Sequence, residues 1–140
     1  MNYWLIKSEP DSWSWDQQVK AGAKGEAWTG VRNHTAKQNL QKMKKGDRAF
    51  FYHSNQGKEI VGIVEVIRES FPDPTAPAGS PFVAVGVSAR TPLETPVTLA
   101  AIKSEPKLSE MALVKQSRLS VQPVTAAEWK QVCAMGGVKA

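Results

Sequence analysis

Apolar and polar positions along the chain predict a mixed set of strands and short helices. Asn2–Lys7 (NYWLIK) is a short apolar run and reads as a buried strand that Pro10 helps to end. Ser14-Trp-Asp-Gln17 has the spacing of a capping box, which predicts a short helix with Trp15 and Val19 facing inward and Gly22 closing it. A glycine-rich loop over 21–26 then delivers Trp28. From Asn33 to Lys45, the apolar stripe Ala36, Leu40 and Met43 predicts a second helix, ended by Gly46-Asp47.

Beyond it the period changes. Arg48–Ser54 and Glu59–Glu69 are rich in aromatic and β-branched residues and read as a hairpin joined by residues 55–58. Four prolines in 71–81 predict an irregular loop, and Phe82–Ala89 a strand buried on both faces. Thr98–Lys103 reads as the start of a short helix and Arg118–Val121 as a last strand. Thr125-Ala-Ala-Glu128 is a second capping box, with Val124 and Trp129 at the positions of a hydrophobic staple and Gly136 as the stop. About five strands with peripheral helices imply an α+β domain built on a small, strongly curved sheet or barrel. KSEP occurs at Lys7–Pro10 and at Lys103–Pro106, but the flanks do not match, so no structural repeat is implied.

At 140 residues with 41% hydrophobic content, the chain suits one domain, 1–140, with one core. No apolar run approaches the ~20 residues a membrane helix needs, and MNYWLIKSEP lacks the pattern of a secretory signal. Cys133 is alone, so an intramolecular disulfide is excluded; a cytosolic or nuclear compartment fits, with the cytoplasm as the expectation. On the terminal helix Cys133 reads as a small core residue.

Charge changes the picture more than composition does. Residues 32–58 hold Arg32, Lys37, Lys42, Lys44, Lys45, Arg48 and Lys58 against Asp47 alone, so the cationic excess of the chain sits in one segment. Such a field attracts polyanions, nucleic acid above all, with Lys37, Lys44, Lys45 and Arg48 as candidate phosphate contacts. A solvated lysine-rich helix face, favoured by the helix dipole, is the bland alternative.

Signatures of catalysis are sparse. GxGxxG, Walker, HExxH and CxxC patterns are absent, and His34 and His53 stand apart from any cysteine or acidic pattern, so neither a cofactor nor a metal is expected. Ser54 adjoins His53, but neighbours on a strand point to opposite faces. Lys7-Ser8-Glu9 offers a nucleophile and a base on paper, and a strand end followed by a turn otherwise.

The five tryptophans say more. Trp4, Trp15 and Trp129 fit core positions, and Trp13 fits either core or surface. Trp28 follows a glycine-rich loop and precedes Gly30, Arg32 and Asn33. Gly30 permits close backbone approach, an indole face can stack on a base, and Arg32 can pair with a phosphate or a base edge. Asn33 is placed to cap the next helix. On these residues alone, a pocket wall and a core turn both remain open for Trp28.

The sequence resembles the EVE domain family, a branch of the PUA-like fold. The resemblance rests on YWLIKSEP at Tyr3–Pro10, WTGVRN at Trp28–Asn33, MKKGDRAFFYHSN at Met43–Asn55, GIVEVIRESFPDPTA at Gly62–Ala76 and SRLSVQPVTAAEW at Ser117–Trp129, in order along the chain. It implies a PUA-like pseudo-barrel of about five to six mostly antiparallel strands flanked by short helices. It also implies a non-enzymatic reader of a modified base in DNA or RNA, with an aromatic pocket. Family motifs carry over at Lys7, Ser8, Trp28, Gly30, Arg32, Asn33 and Tyr52-His53-Ser54, with Ser120 as a further contributor. The chain departs from the family at His34-Thr35, where Tyr-Gln is frequent, and at Lys37-Gln38, where Arg-Asn is common. It also has only a short link at 76–81 where many members carry a tyrosine-rich insert. The competing readings are a nucleic-acid-processing enzyme, resting on Lys7, Ser8 and His53, and a protein- or small-molecule-binding domain.

Overall fold

The computed structural model describes residues 1–140. Six strands form one mixed sheet: β1 (Tyr3–Ser8), β2 (Glu26–Trp28), β3 (Arg48–His53), β4 (Glu59–Pro72), β5 (Val83–Thr98) and β6 (Val121–Val124). Their order is β2-β5-β4-β3-β1-β6. Only β1 and β3 run parallel; the other pairs are antiparallel. The architecture is the α+β pseudo-barrel that the resemblance implies. The sheet is not closed into a barrel, since β2 and β6 are its free edges.

Bulges curl the sheet. The β3–β4 register slips between Phe51 and Tyr52, and the β4–β5 register slips four times between Ile60 and Phe71. Each slip adds local twist and bends the strand. Concave and convex faces therefore carry separate cores. The concave side gathers Trp4, Ile6, Phe51, Val64, Val85 and Trp28. Helix α2 (His34–Lys42) fills it with Ala36, Leu40 and the following Met43, and packs against both β6 and β5. Buried Asn39 of α2 donates to the Val121 carbonyl at 2.7 Å, fixing the helix across the gap that the sheet leaves open. The convex side packs Leu5, Phe50 and Tyr52 beneath α5 (Ala126–Gly136), α3 (Leu99–Ser104) and α4 (Ala112–Lys115). Trp129 stacks between Phe50 and Tyr3, with ring centroids at 3.9 and 4.5 Å.

Both capping boxes form, at Ser14/Gln17 and Thr125/Glu128. Val124 and Trp129 enter the convex core as a staple. Several expectations need correcting. Val19 of α1 (Trp15–Lys20) is exposed, and Gln18 takes the inward position because its amide has two partners there: it accepts from Trp13 Nε1 and donates to the Val87 carbonyl. The second helix ends at Lys42, because Met43 is extended and turns into the core. Strand β5 runs on from Ala89 to Thr98 through Pro92 and Pro96, and the bulged register accommodates them. β4 reaches Pro72, and the closing strand is Val121–Val124 rather than Arg118–Val121. Gly137, with φ 73°, ends α5 in place of Gly136.

Gly62 sits beneath the Trp15 indole, where a Cβ would overlap the ring atoms. We expect Gly62→Ala to lower unfolding free energy by about 1–3 kcal/mol in denaturant melts, because neither the ring nor the strand has room to move aside.

Candidate functional site

A cavity of about 440 Å³ opens at the C-terminal end of β1, between that strand's end and β2. Its wall comes from four stretches: Lys7, Ser8 and Glu9 at the end of β1; Ser12 and Trp13 in the turn after it; Glu26 through Arg32; and Ser120 before β6. The volume lies within the ~300–1,000 Å³ typical of ligand sites.

Two indoles line it, each held from behind. Trp28 belongs to β2, is 8% exposed, and meets Phe51 edge-on with centroids 5.5 Å apart. Trp13 is half-buried, its Nε1 donating to Gln18 Oε1 at 2.8 Å and its carbonyl accepting from the Ser8 hydroxyl at 2.5 Å. Trp13 immediately precedes the Ser14 cap and Gln18 is the fourth helical residue, so the two occupy the staple positions with a hydrogen bond in place of an apolar contact.

The Thr29–Arg32 loop is tied down by Asp73. Its Oδ2 accepts from the Gly30 amide at 2.8 Å and from Arg32 Nη1 at 3.0 Å. Its Oδ1 accepts from the Thr75 amide and hydroxyl at 2.7 and 2.6 Å, and Thr75 Oγ1 in turn accepts from Arg32 Nη2 at 3.1 Å. Gly30 has φ 83°, which explains the glycine, since no atom crowds its Cβ position. Burial alone would raise the Asp73 carboxyl. The hydrogen bonds from Thr75, Gly30 and Arg32 outweigh it and hold the group at about 2. The Arg32 guanidinium, 41% exposed, lies over the Phe82 ring at 5.5 Å, and His34 stacks on the same ring.

The sequence matches the EVE domain family over residues 2–135. The chain belongs to the EVE domain family. It is 33% identical to thymocyte nuclear protein 1 of Mus musculus over 91% of this chain and 70% of that protein. It spans 65% of the length of a Schizosaccharomyces pombe relative. A solved structure from Rhodopseudomonas palustris superposes with a TM-score of 0.92 at 68% identity, over 98% of this chain and 94% of that one. The structure of human THYN1 in complex with DNA containing 5-methylcytosine superposes with a TM-score of 0.89 at 30% identity, over 100% of each chain.

This EVE domain brings six of the expected site residues to one cavity: Lys7, Ser8, Trp28, Gly30, Arg32 and Ser120. Lys7 borders it with its side chain on the other face of the sheet. There its ammonium, whose pKa burial lowers, lies 5.9 Å from the Tyr52 ring and donates to the Ser117 carbonyl at 2.6 Å. Tyr52 is buried in the convex core, where burial raises its hydroxyl pKa. His53 is paired across the sheet with Ser8, but its Nε2 accepts from the Trp15 amide at 3.0 Å; burial lowers its pKa against the opposing pull of Glu59 and Asp16. Ser54 donates its amide to the Ser8 carbonyl. Asn33 caps α2 and lines an adjoining cavity with Thr35, Ser117 and Arg118.

The basic residues lie elsewhere. Lys44 and Lys45 flank Asn2 and Asp47 at the start of β1, roughly 17 Å along the strand from Lys7. Arg48 sits opposite Tyr3 at that same end, and Lys37 is half-buried on α2. Glu9, Ser12, Trp13 and Glu26 in the wall, and Asp73 and Thr75 behind it, were not among the expected site residues. Trp13 had a local signal in its place before a capping box; Asp73 had none, because it acts across more than forty residues.

The depressed pKa makes Asp73 a stabilising group above its ordinary value of 3.8, and this contribution is lost as pH falls towards about 2. Asp73→Ala is expected to cost about 1.5–3 kcal/mol at neutral pH. The wild-type advantage over this variant should shrink between about pH 4 and pH 2, as read from paired thermal melts.

Proposed function

We propose that this EVE domain is a non-enzymatic module that binds a modified base of DNA or RNA in the Trp13–Trp28 cavity. The observation that carries the reading is two anchored indoles in one cavity with backbone and side-chain hydrogen-bonding groups beside them. Aromatic faces stack on any base, and polar groups at the edge select among bases. The relative whose structure holds 5-methylcytosine DNA supports the same use of this fold. Lys44 and Lys45 serve the flanking phosphates at a distance, so the base contact and the backbone contact are separate determinants of affinity.

The enzyme reading loses the cluster it rested on. Ser8 donates to the Trp13 carbonyl, His53 accepts from the Trp15 amide, and Lys7 donates to Ser117. No nucleophile–base pair forms among them.

Titration of matched oligonucleotides, with and without modified cytosine or adenine, tests the proposal at two salt concentrations. Trp28→Ala and Trp13→Ala are each expected to weaken binding of the modified oligonucleotide by about 1–3 kcal/mol and to erase its advantage over the unmodified one. Equal affinity for every base in a broad panel would sink the reading. Lys44→Ala is expected to weaken all sequences alike and to reduce the salt slope by about 1. A free nucleoside, too short to reach that lysine, should bind Lys44→Ala and wild type equally.

A further inference from the structure

The cavity's cations and the Trp13 indole donor are already committed. Arg32 is paired with Asp73, the Lys7 ammonium lies on the other face, and the Trp13 indole N–H is held by Gln18. Two carboxylates in the wall, Glu9 and Glu26, are not: neither side chain accepts a hydrogen bond or forms an ion pair within the chain. Glu26 is set by the strand. It lies two residues before Trp28 on β2, so strand alternation puts both side chains on the same face, roughly 7 Å apart. β2 pairs with β5 through Glu26–Val87 and Trp28–Val85, which fixes that spacing. Glu26 therefore lies beside any base stacked on Trp28, with Glu9 in the wall at the end of β1.

A carboxylate is an acceptor only. It takes a hydrogen bond from an exocyclic amino group, as on cytosine N4 or adenine N6, and is repelled by a keto oxygen in the same place. We infer that Glu26, assisted by Glu9, makes the cavity selective for amino-bearing bases, the cytosine and adenine class, over the keto bases thymine and uracil. The inference rests on the base-binding reading above and adds an edge requirement to it. It bears most directly on 5-methylcytosine against thymine. The two share the C5 methyl group and the stacking face, so a pocket sensing only methylation and aromatic area would accept both.

The test uses the full chain and single-stranded oligonucleotides identical except for one central base: 5-methylcytosine, thymine, cytosine or uracil. Fluorescence anisotropy gives four dissociation constants each for wild type, Glu26→Gln, Glu9→Gln and the double variant. Both carboxylates are exposed, and unchanged melting temperatures would show that the variants fold. Wild type should favour each amino base over its keto partner by about tenfold or more. Glu26→Gln, whose amide can also donate, should bring both ratios to within about twofold of unity, with a smaller loss for Glu9→Gln. A wild-type preference for methylated over unmethylated bases without an amino-over-keto preference overturns the inference and leaves the base-binding reading standing. Amino selectivity that survives in the double variant also overturns it. Equal binding of all four oligonucleotides overturns the inference, and the base-binding reading falls with it only if the broader panel that includes modified adenine also shows no preference.

Discussion

The pocket depends on a buried carboxylate more than on its aromatic walls. Asp73 lies at the end of the long β4–β5 ribbon, in a proline-rich loop, and reaches across to the loop after β2. One oxygen takes the Gly30 amide and the Arg32 guanidinium; the other takes both donors of Thr75. These bonds fix the Thr29–Arg32 loop that follows Trp28, whose own strand β2 is only three residues long and pairs on one side alone. The interaction also settles what Arg32 does. Its charge is neutralised locally, so it orders the rim and keeps one face open above Phe82, and it adds little to long-range attraction of phosphate.

A second constraint lies under the other indole. Gln18 is buried on a helix whose neighbouring residues face solvent, and its amide joins Trp13 to the Val87 carbonyl of β5. The two tryptophans are thus tied, by different routes, to the same strand: Trp28 through the β2–β5 ladder and Trp13 through Gln18. A cavity whose opposite walls share one rigid strand is pre-organised, and pre-organisation lowers the ordering cost of binding. The bulges in β4 and β5 matter for the same reason, because the curl they impose brings the end of β1 towards β2.

Much of this was legible in the sequence wherever the cause was local. Both capping boxes, the Asn33 cap, the β3–β4 hairpin and the Val124–Trp129 staple follow from residues within a few positions of one another. The failures share a different cause. Val19 looked inward by period, but Gln18 takes that place because its amide reaches the Val87 carbonyl, 69 residues along the chain, as well as the nearby Trp13 indole. The expected strand stopped at Ala89, yet β5 continues to Thr98 through Pro92 and Pro96, which the bulged register tolerates. At the site, the motif from Trp28 to Arg32 was visible, whereas Asp73 and Glu26 gained meaning only once the sheet placed them beside it. The basic segment was read as one field with the pocket; the fold sets Lys44 and Lys45 at the other end of β1.

In the proposed function, Trp13 and Trp28 are the surfaces a base meets. The five tryptophan indole N–H signals of the ¹⁵N-labelled protein test it directly during titration with an oligonucleotide carrying one modified base. Large shifts are expected for Trp13 and Trp28, while Trp4, bonded to Asp47, and Trp129, stacked in the convex core, stay in place. Binding that left Trp13 and Trp28 unmoved, or that shifted Trp4 beside Lys44 instead, would contradict it.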